Sequence, residues 1–395
     1  MTYRFRILTL NHIASQGLER FPERRYVVGK AVESPDAILV RSHDMHATPI
    51  APSVRAIGRA GSGTNNIPVA EMSGRGVPVF NAPGANANAV KELVLAALLI
   101  AARNIVPALD FVAALDAAPG DLDRQVEDGK KAFAGIELPQ RTLGIVGLGA
   151  IGSLVADTAL KLGMKVIGYD PKITVDAAWR LHSGVRRAHT IEEALKQADF
   201  VTLHVPLLAV TRNLIDAKRL AAMKAGAVLL NFAREGIVDE EAVRAALDAR
   251  HLKHYITDFP SPRLLGHPGV VALPHLGAST QEAEDNCAVM VVDALREYLE
   301  DGTVRNAVNF PNVEMVRESP FRVAIANANV PNMLGQISTT MAKSGLNIHT
   351  MVNKSRGEMA YTLVDVDSPV DDRLIAALAS IAGVLSVRAI PSEPA

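Results

Sequence analysis

Two residues in the second half of this sequence suit the interconversion of an alcohol and a carbonyl. His275, in Pro274-His275-Leu276-Gly277-Ala278-Ser279-Thr280, belongs to a residue type that titrates near neutral pH, as proton exchange with a hydroxyl requires. Arg234, in Asn231-Phe232-Ala233-Arg234-Glu235-Gly236, is suited to polarising a carbonyl and holding a carboxylate. Neither is diagnostic alone, because a histidine or arginine at a strand end is commonly an ordinary surface group. Their weight comes from position. Each follows a short apolar run that reads as a strand, at 228–230 and 270–273. His204-Val205-Pro206 follows another at 200–203, and Asp258 a fourth at 255–257. Several strands that deliver polar residues to one edge have the geometry of an active cleft.

The element that must position them is Leu143-Gly144-Ile145-Val146-Gly147-Leu148-Gly149-Ala150-Ile151-Gly152. An apolar run suited to a buried strand meets a G-x-G-x-x-G turn, and the turn opens a helix. Gly147 allows the tight turn, Gly149 lets the backbone approach a diphosphate, and Gly152 lets helix and strand pack closely. Free N–H groups at the helix start then face the phosphates. The helix carries Ile151, Leu154, Val155, Ala159 and Leu160 at helical spacing and stops at Gly163. A second strand, 165–169, ends on Asp170, which lies 18 residues beyond Gly152. That is close to the roughly 20 residues expected for a ribose-binding carboxylate. The expected cofactor is NAD, because the Asp170 charge repels the 2′-phosphate of NADP. Asp258 is then placed to accept a hydrogen bond from the nicotinamide carboxamide.

The chain ahead of this loop also alternates strands with helices, with strands at 5–9, 37–40, 54–57 and 77–80. Two strand ends carry polar groups: Arg41-Ser42, and Arg59-Ala60-Gly61-Ser62-Gly63. Arg41 and Arg59 are suited to gripping an anionic substrate, and on spacing alone they also read as surface arginines on ordinary loops. An apolar helix then runs to about Arg103, with Asn86 or Asn88 as its N-cap. The polar stretch 121–136, with Lys130 and Lys131 adjacent, reads as a solvated connector.

The totals bound the rest. A chain of 395 residues accommodates two or three domains. With 41 basic and 42 acidic residues the net charge is −1, which gives no sign of a nucleic-acid partner. One cysteine, Cys287, excludes an intrachain disulfide framework and suits a reducing cytosol. The longest apolar run, 93–102, is too short to span a bilayer, and the N-terminus lacks a signal-peptide stretch. The expectation is a cytoplasmic protein with no membrane partner and no metal.

Taken together, five segments resemble the D-isomer-specific 2-hydroxyacid dehydrogenases, most closely the branch that acts on a phosphorylated glycerate. They are Gly58-Arg59-Ala60-Gly61-Ser62-Gly63, the glycine loop, His204-Val205-Pro206-Leu207, Asn231 to Glu240, and Pro274 to Thr280. The resemblance implies two Rossmann- or flavodoxin-like lobes with parallel sheets. Residues 1–88 and 283–312 would form a substrate-binding domain, and 89–282 an NAD-binding domain. It implies Arg234 as the catalytic arginine and His275 as the general acid/base. Cofactor contacts are implied for Ser62, Gly147, Gly149, Ala150, Ile151, Gly152, Asp170, Val205, Phe232, Ala233, Asp258, Leu276, Gly277 and Ala278. Substrate anchoring falls to Arg41, Ser42, Arg59, Ser62 and Gly63, with Lys130 and Lys131 as further phosphate ligands. The implied reaction is NAD-dependent oxidation of 3-phospho-D-glycerate to 3-phosphooxypyruvate, the entry step of L-serine synthesis, by a homodimer or homotetramer. The alternatives within this resemblance are a glycerate or hydroxypyruvate reductase and a non-catalytic NAD-sensing scaffold.

The sequence departs from the family pattern at one place. Family members usually carry a glutamate a few residues after the aspartate that matches Asp258, paired with the histidine. Here 259–274 contains no acidic residue, and Glu235 does not match the missing position. Without that carboxylate the imidazolium is less stabilised, so a pH profile shifted downward is expected. Beyond Pro311 the strand and helix signals restart in the order βαββαβ, over about 75 residues. This resembles a ferredoxin-like ACT domain, expected over 318–395. The resemblance implies L-serine as effector, with Asn329 and Asn347 at contact positions and Asn327 where a histidine is common.

Overall fold

The computed structural model describes residues 4–115 and 121–390. Residues 1–3, 116–120 and 391–395 lie outside the described residues, including the two ends of the expected first and last domains. The chain forms two compact units, Met1–Asn86 with Gln281–Ala395, and Ala87–Thr280.

The first unit opens with β1 (Phe5–Leu10), α1 (Ser15–Leu18), β2 (Tyr26–Gly29), β3 (Ala37–Val40), β4 (Ala56–Arg59), α2 (Val69–Gly74) and β5 (Val79–Phe80). Its five strands are parallel in the order β2-β1-β3-β4-β5, the flavodoxin-like arrangement. Every residue of β3 is buried, as expected of a strand covered on both faces.

The second unit begins with α3 (Ala87–Arg103), α4 (Ile105–Ala113), α5 (Leu122–Gly129) and a 3₁₀ turn (Lys130–Phe133). Then come β6 (Thr142–Val146), α6 (Ala150–Lys161), β7 (Lys165–Tyr169), α7 (Val175–Trp179), β8 (Val185–Arg187), α8 (Ile191–Gln197) and β9 (Phe200–Leu203). The unit closes with α9 (Ala217–Ala222), β10 (Ala227–Asn231), α10 (Glu240–Asp248), β11 (Leu252–Thr257) and β12 (Val270–Ala272). Its sheet is parallel throughout, in the doubly wound order β12-β11-β10-β9-β6-β7-β8. Side chains of Thr174, Thr190, Asp216 and Asp239 cap the N-termini of α7, α8, α9 and α10. Helix α6 starts at Gly149 with no such cap.

One expectation needs correcting. The stretch 121–136 is not a plain connector, because most of it is helical. Local ion pairs, Arg124 with Asp121 and Lys130 with Glu127, support the turns. Phe133 anchors the stretch on Phe111 of α4, with ring centroids 5.2 Å apart. Strands β2 and β8 were not expected from the sequence; both are short edge strands with mixed burial.

The chain then returns to the first unit through α11 (Gln281–Asp301) and adds β13 (Phe321–Ala328), α12 (Met333–Lys343), β14 (Ile348–Arg356), β15 (Met359–Val366), α13 (Asp372–Ala379) and β16 (Val384–Ile390). These four strands form an antiparallel sheet, β14-β15-β13-β16, the ferredoxin-like order. One face packs on α12 and α13 through Val323, Ile325, Ile337 and Leu378. The other shares a core with Tyr298, Leu299 and Phe310, through Ala324, Tyr361 and Leu363.

A buried ion pair pins this second face. Arg322 donates to Asp365 at 2.6 and 3.0 Å, and its remaining N–H groups reach the carbonyls of Asp301, Met315 and Val316. Burial alone would raise the Asp365 carboxyl, but hydrogen bonds from Arg322 and the Glu318 N–H hold it below the ordinary carboxylate value. Arg322→Leu leaves Asp365 buried and unpaired. It should cost about 3–5 kcal/mol. A melt by circular dichroism in which Arg322→Leu matched the parent would contradict this account.

Candidate active site

Parallel strands place their carboxyl ends on one edge, and the polar residues of the second unit fall there in spatial order. Across the sheet the edge carries His275 beyond β12, Asp258 after β11, Arg234 after β10, His204 after β9, the glycine turn after β6 and Asp170 after β7.

The turn is built as the sequence predicts. Gly147 has φ +95°, and a Cβ there would lie 2.6 Å from the His204 carbonyl oxygen. A Cβ on Gly152 would meet the Gly147 oxygen at 2.0 Å. At Gly149 a Cβ would meet nothing within 4 Å, so the turn is open on that side, where the uncapped N–H groups of α6 begin. Such an opening fits a diphosphate. The Asp170 carboxylate lies beside the turn, accepting hydrogen bonds from the N–H groups of Leu148 and Lys172, both at 2.9 Å.

Neighbouring side chains shape the edge. Asn231 is buried; its amide donates to the Arg234 carbonyl at 3.0 Å and accepts from the Ala233 N–H at 3.2 Å. This folds the turn that presents Arg234, whose guanidinium donates to the Ala233 carbonyl at 2.7 Å; the residue reaches the surface, yet partial burial of its guanidinium lowers its pKa from the ordinary value. Phe232 and Ala233 are buried beneath it. His204 Nε2 lies 3.0 Å from the Thr202 hydroxyl, and its buried Nδ1 has no hydrogen-bond partner among the described residues. Burial drives its pKa down to about 3. His204 is therefore neutral at physiological pH and unsuited to acid/base work.

Asp258 organises the histidine loop. It is 1% exposed, and its two oxygens accept the N–H groups of Leu276 and Gly277, each at 2.7 Å. The His275 N–H bonds back to the Leu273 carbonyl at 3.0 Å. His275 itself adopts φ +56°, a left-handed conformation uncommon for a residue with a side chain. Its ring is exposed, and the Phe259 ring meets it edge-on at 5.1 Å. Among the described residues the His275 ring makes no hydrogen bond. In the 259–269 segment Ser261 is buried and donates to Glu240 at 2.6 Å. Sequence reading missed the positioning parts of Asn231, Asp258 and Phe259. Asn231 shares a motif with Arg234, which was the available signal for it; Asp258 and Phe259 lie outside the His275 motif, and only the fold brings them to it.

In the first unit, Arg41 and Arg59 come together. Arg59 Nε donates to the Arg41 carbonyl at 3.1 Å, and its guanidinium lies over Gly61, where a Cβ would be 1.9 Å from Nη1. Arg41 pairs with Glu284 of α11 at 2.6 Å. Ser42, Ser62 and Gly63 occupy the bends that follow β3 and β4. Cys287 is buried nearby, and burial pushes its thiol pKa up against the opposing pull of Arg59 and Arg41. Lys130 and Lys131 belong to the second unit, on the 3₁₀ turn that contacts α4 and α5. In the antiparallel sheet, Asn327 and Asn329 stand at the Gly357 end and Asn347 at the Asp367 end. Eight residues of strand, about 26 Å, separate those ends, so one chain does not gather the three asparagines.

Comparison with known proteins agrees with this layout. Residues 95–277 match the NAD binding domain of the D-isomer specific 2-hydroxyacid dehydrogenases. A D-3-phosphoglycerate dehydrogenase of Haemophilus influenzae is 32% identical over 86% of this chain and 82% of its own length. The chain belongs to the D-isomer-specific 2-hydroxyacid dehydrogenase family. A D-3-phosphoglycerate dehydrogenase of Methanocaldococcus jannaschii is 35% identical over 85% of this chain, which spans 62% of that relative's length. Among solved structures, the NAD+-bound 3-phosphoglycerate dehydrogenase of Entamoeba histolytica is 25% identical, with a TM-score of 0.60 over 77% of this chain and 98% of that one. For a member of this family, the open side of the glycine turn, the free α6 N–H groups and Asp170 together fit NAD.

Two outcomes follow. Asp258→Asn replaces one acceptor oxygen with a donor that faces a backbone N–H. It should cost about 1–3 kcal/mol of stability and lower kcat by roughly 10- to 100-fold through misplacement of the His275 loop; parent-like kinetics and melting would exclude that role. His204 gives a pH effect with a definite sign. Its folded pKa of about 3 lies below the ordinary 6.5, so the unfolded chain binds the extra proton first. Its stabilising contribution is complete above pH 6.5 and is lost as pH falls towards 3. Melting temperatures recorded across that range should decline, and His204→Gln should flatten the decline.

Proposed function

We propose that this protein catalyses the NAD-dependent oxidation of 3-phospho-D-glycerate to 3-phosphooxypyruvate. The supporting observation is the single sheet edge that carries the glycine turn, Asp170, Arg234 and the Asp258-braced His275 loop. When bound, NAD+ accepts the hydride from the substrate carbon. His275 removes the hydroxyl proton as that hydride leaves. Arg234 holds the substrate carboxylate and favours charge on the carbonyl oxygen. Arg41 and Arg59, with Ser42, Ser62 and Gly63, take the phosphate, a role that suits paired guanidinium groups. Anion binding there requires Arg41 to exchange Glu284 for substrate. Asp258 serves mainly by fixing the backbone on which His275 is carried.

The βαββαβ sheet supports reading 318–390 as an ACT sensor for L-serine, which favours a biosynthetic entry enzyme over a glycerate or hydroxypyruvate reductase. Asn327 is 1% exposed, and its Oδ1 has no hydrogen-bond partner among the described residues. With Asn347 at the far end of the sheet, a ligand touching all three asparagines takes them from two chains. Helix α4 supports the same oligomeric reading: it buries none of its residues, and Leu109 and Val112 are 63% and 59% exposed. The single cysteine fits a cytoplasmic location.

One assay series tests these assignments. NADH oxidation is followed with phosphohydroxypyruvate and with hydroxypyruvate, for the parent and His275→Ala, across pH and with or without L-serine. The phosphorylated substrate should be preferred, and His275→Ala should lose on the order of 10²–10⁴ in turnover. The pH profile should sit below that of relatives with the glutamate. Equal use of both substrates would favour the reductase, and no turnover of either would favour the scaffold. L-serine that fails to bind with or without NADH would remove the sensor reading.

A further inference from the structure

The opposite edge of the same sheet is also chemically distinctive. Two adjoining cavities, of about 400 and 240 Å³, open at the amino-terminal ends of β6, β7, β9 and β10 and share Lys224. Lys165, Arg186, Lys196 and Lys224 line the larger. Arg141 and Lys253 line the smaller, together with apolar Ala101, Ile136, Phe200 and Val228. Six cations therefore face one carboxylate, Asp199, in a chain whose charges otherwise nearly balance.

Asp199 does not neutralise them. It is taken up by Lys224 at 2.9 Å and by the Thr142 N–H at 2.8 Å. Among the described residues no carboxylate pairs with Arg141, Lys165, Arg186, Lys196 or Lys253; Arg186 donates to the neutral Gln197 side chain. Burial lowers the Lys253 pKa. Compensation of a helix C-terminus accounts for Lys196, in the last turn of α8, but not for Lys165 and Arg186, which project from strands. The glycine turn sits at the other end of β6, so these cations serve neither the diphosphate of NAD nor the proposed substrate.

We propose that this edge is a second anion site, for an organic diphosphate with a compact apolar skeleton. The four cations of the larger cavity match a group with several negative charges, and their mixture of Arg and Lys suits tetrahedral phosphate oxygens. The apolar wall of the smaller cavity covers the carbon skeleton.

The test is isothermal titration of the full chain, with one equivalent of NADH filling the glycine turn. Isopentenyl diphosphate and inorganic pyrophosphate are the probes. Isopentenyl diphosphate should bind with a Kd below about 1 mM, more tightly than pyrophosphate and more weakly as salt is raised. Lys165→Gln/Arg186→Gln/Lys196→Gln, three exposed positions, should lose at least about tenfold in that affinity while retaining parental turnover and melting. Absence of saturable binding, pyrophosphate binding as tightly as isopentenyl diphosphate, or undiminished binding by the triple variant would each overturn the proposal.

Discussion

Every strand of the second unit's sheet runs in the same direction, and much else in that unit follows from this constraint. Parallel pairing requires a crossover after each strand, and each crossover leaves the carboxyl edge through a short turn. The turns are where side chains escape the packing demands of the buried strands. Arg234, Asp258 and His275 can therefore be polar while the residues of β10 and the second half of β11 are buried. The tightest turn, at Gly147, is set by its approach to the His204 carbonyl and by the contact of Gly152 with Gly147. A side chain at Gly147 would press on the His204 backbone, and one at Gly152 would press α6 away from the turn. The amino edge obeys the same geometry in reverse and collects the basic starts of strands and ends of helices.

The histidine loop is held without a side-chain hydrogen bond to the His275 ring among the described residues. A glutamate that hydrogen-bonds an imidazole does two things: it orients the ring and stabilises its charged form. Here orientation comes from the backbone. Asp258 holds the loop through two short hydrogen bonds, and Phe259 stands against the ring. The charge-stabilising part has no equivalent among the hydrogen bonds of the described residues.

The antiparallel sheet is joined to the first unit by interactions that are costly to break. The Arg322–Asp365 pair, the Tyr361 hydroxyl on the Gly302 carbonyl and Arg388 over the Tyr298 ring all face a shared core. A buried charge pair contributes little net stability when complete but penalises separation strongly. The sheet and the arginine-bearing parallel strands thus form one compact unit.

Much of this was legible in the sequence. The glycine spacing, the carboxylate 18 residues on and the alternation of apolar runs with helical periodicity specify a dinucleotide fold because each is a local consequence of backbone geometry. The βαββαβ order was readable for the same reason. Short edge strands such as β8 were not, since their pairing depends on neighbours rather than on their own pattern. Nor was the helical character of 121–136, which rests on the Phe111–Phe133 contact. Sequence named Arg41 and Arg59 separately; tertiary structure laid one guanidinium over Gly61 and paired the other with a residue more than 240 positions away. It also set Asn327 and Asn329 at one end of the antiparallel sheet and Asn347 at the other, and drew six cations to one edge of the second unit's sheet. Sequence determines what each segment becomes, because propensity and turn chemistry are local. Which side chains meet is decided only when distant segments pack, because electrostatics and burial depend on distance in space.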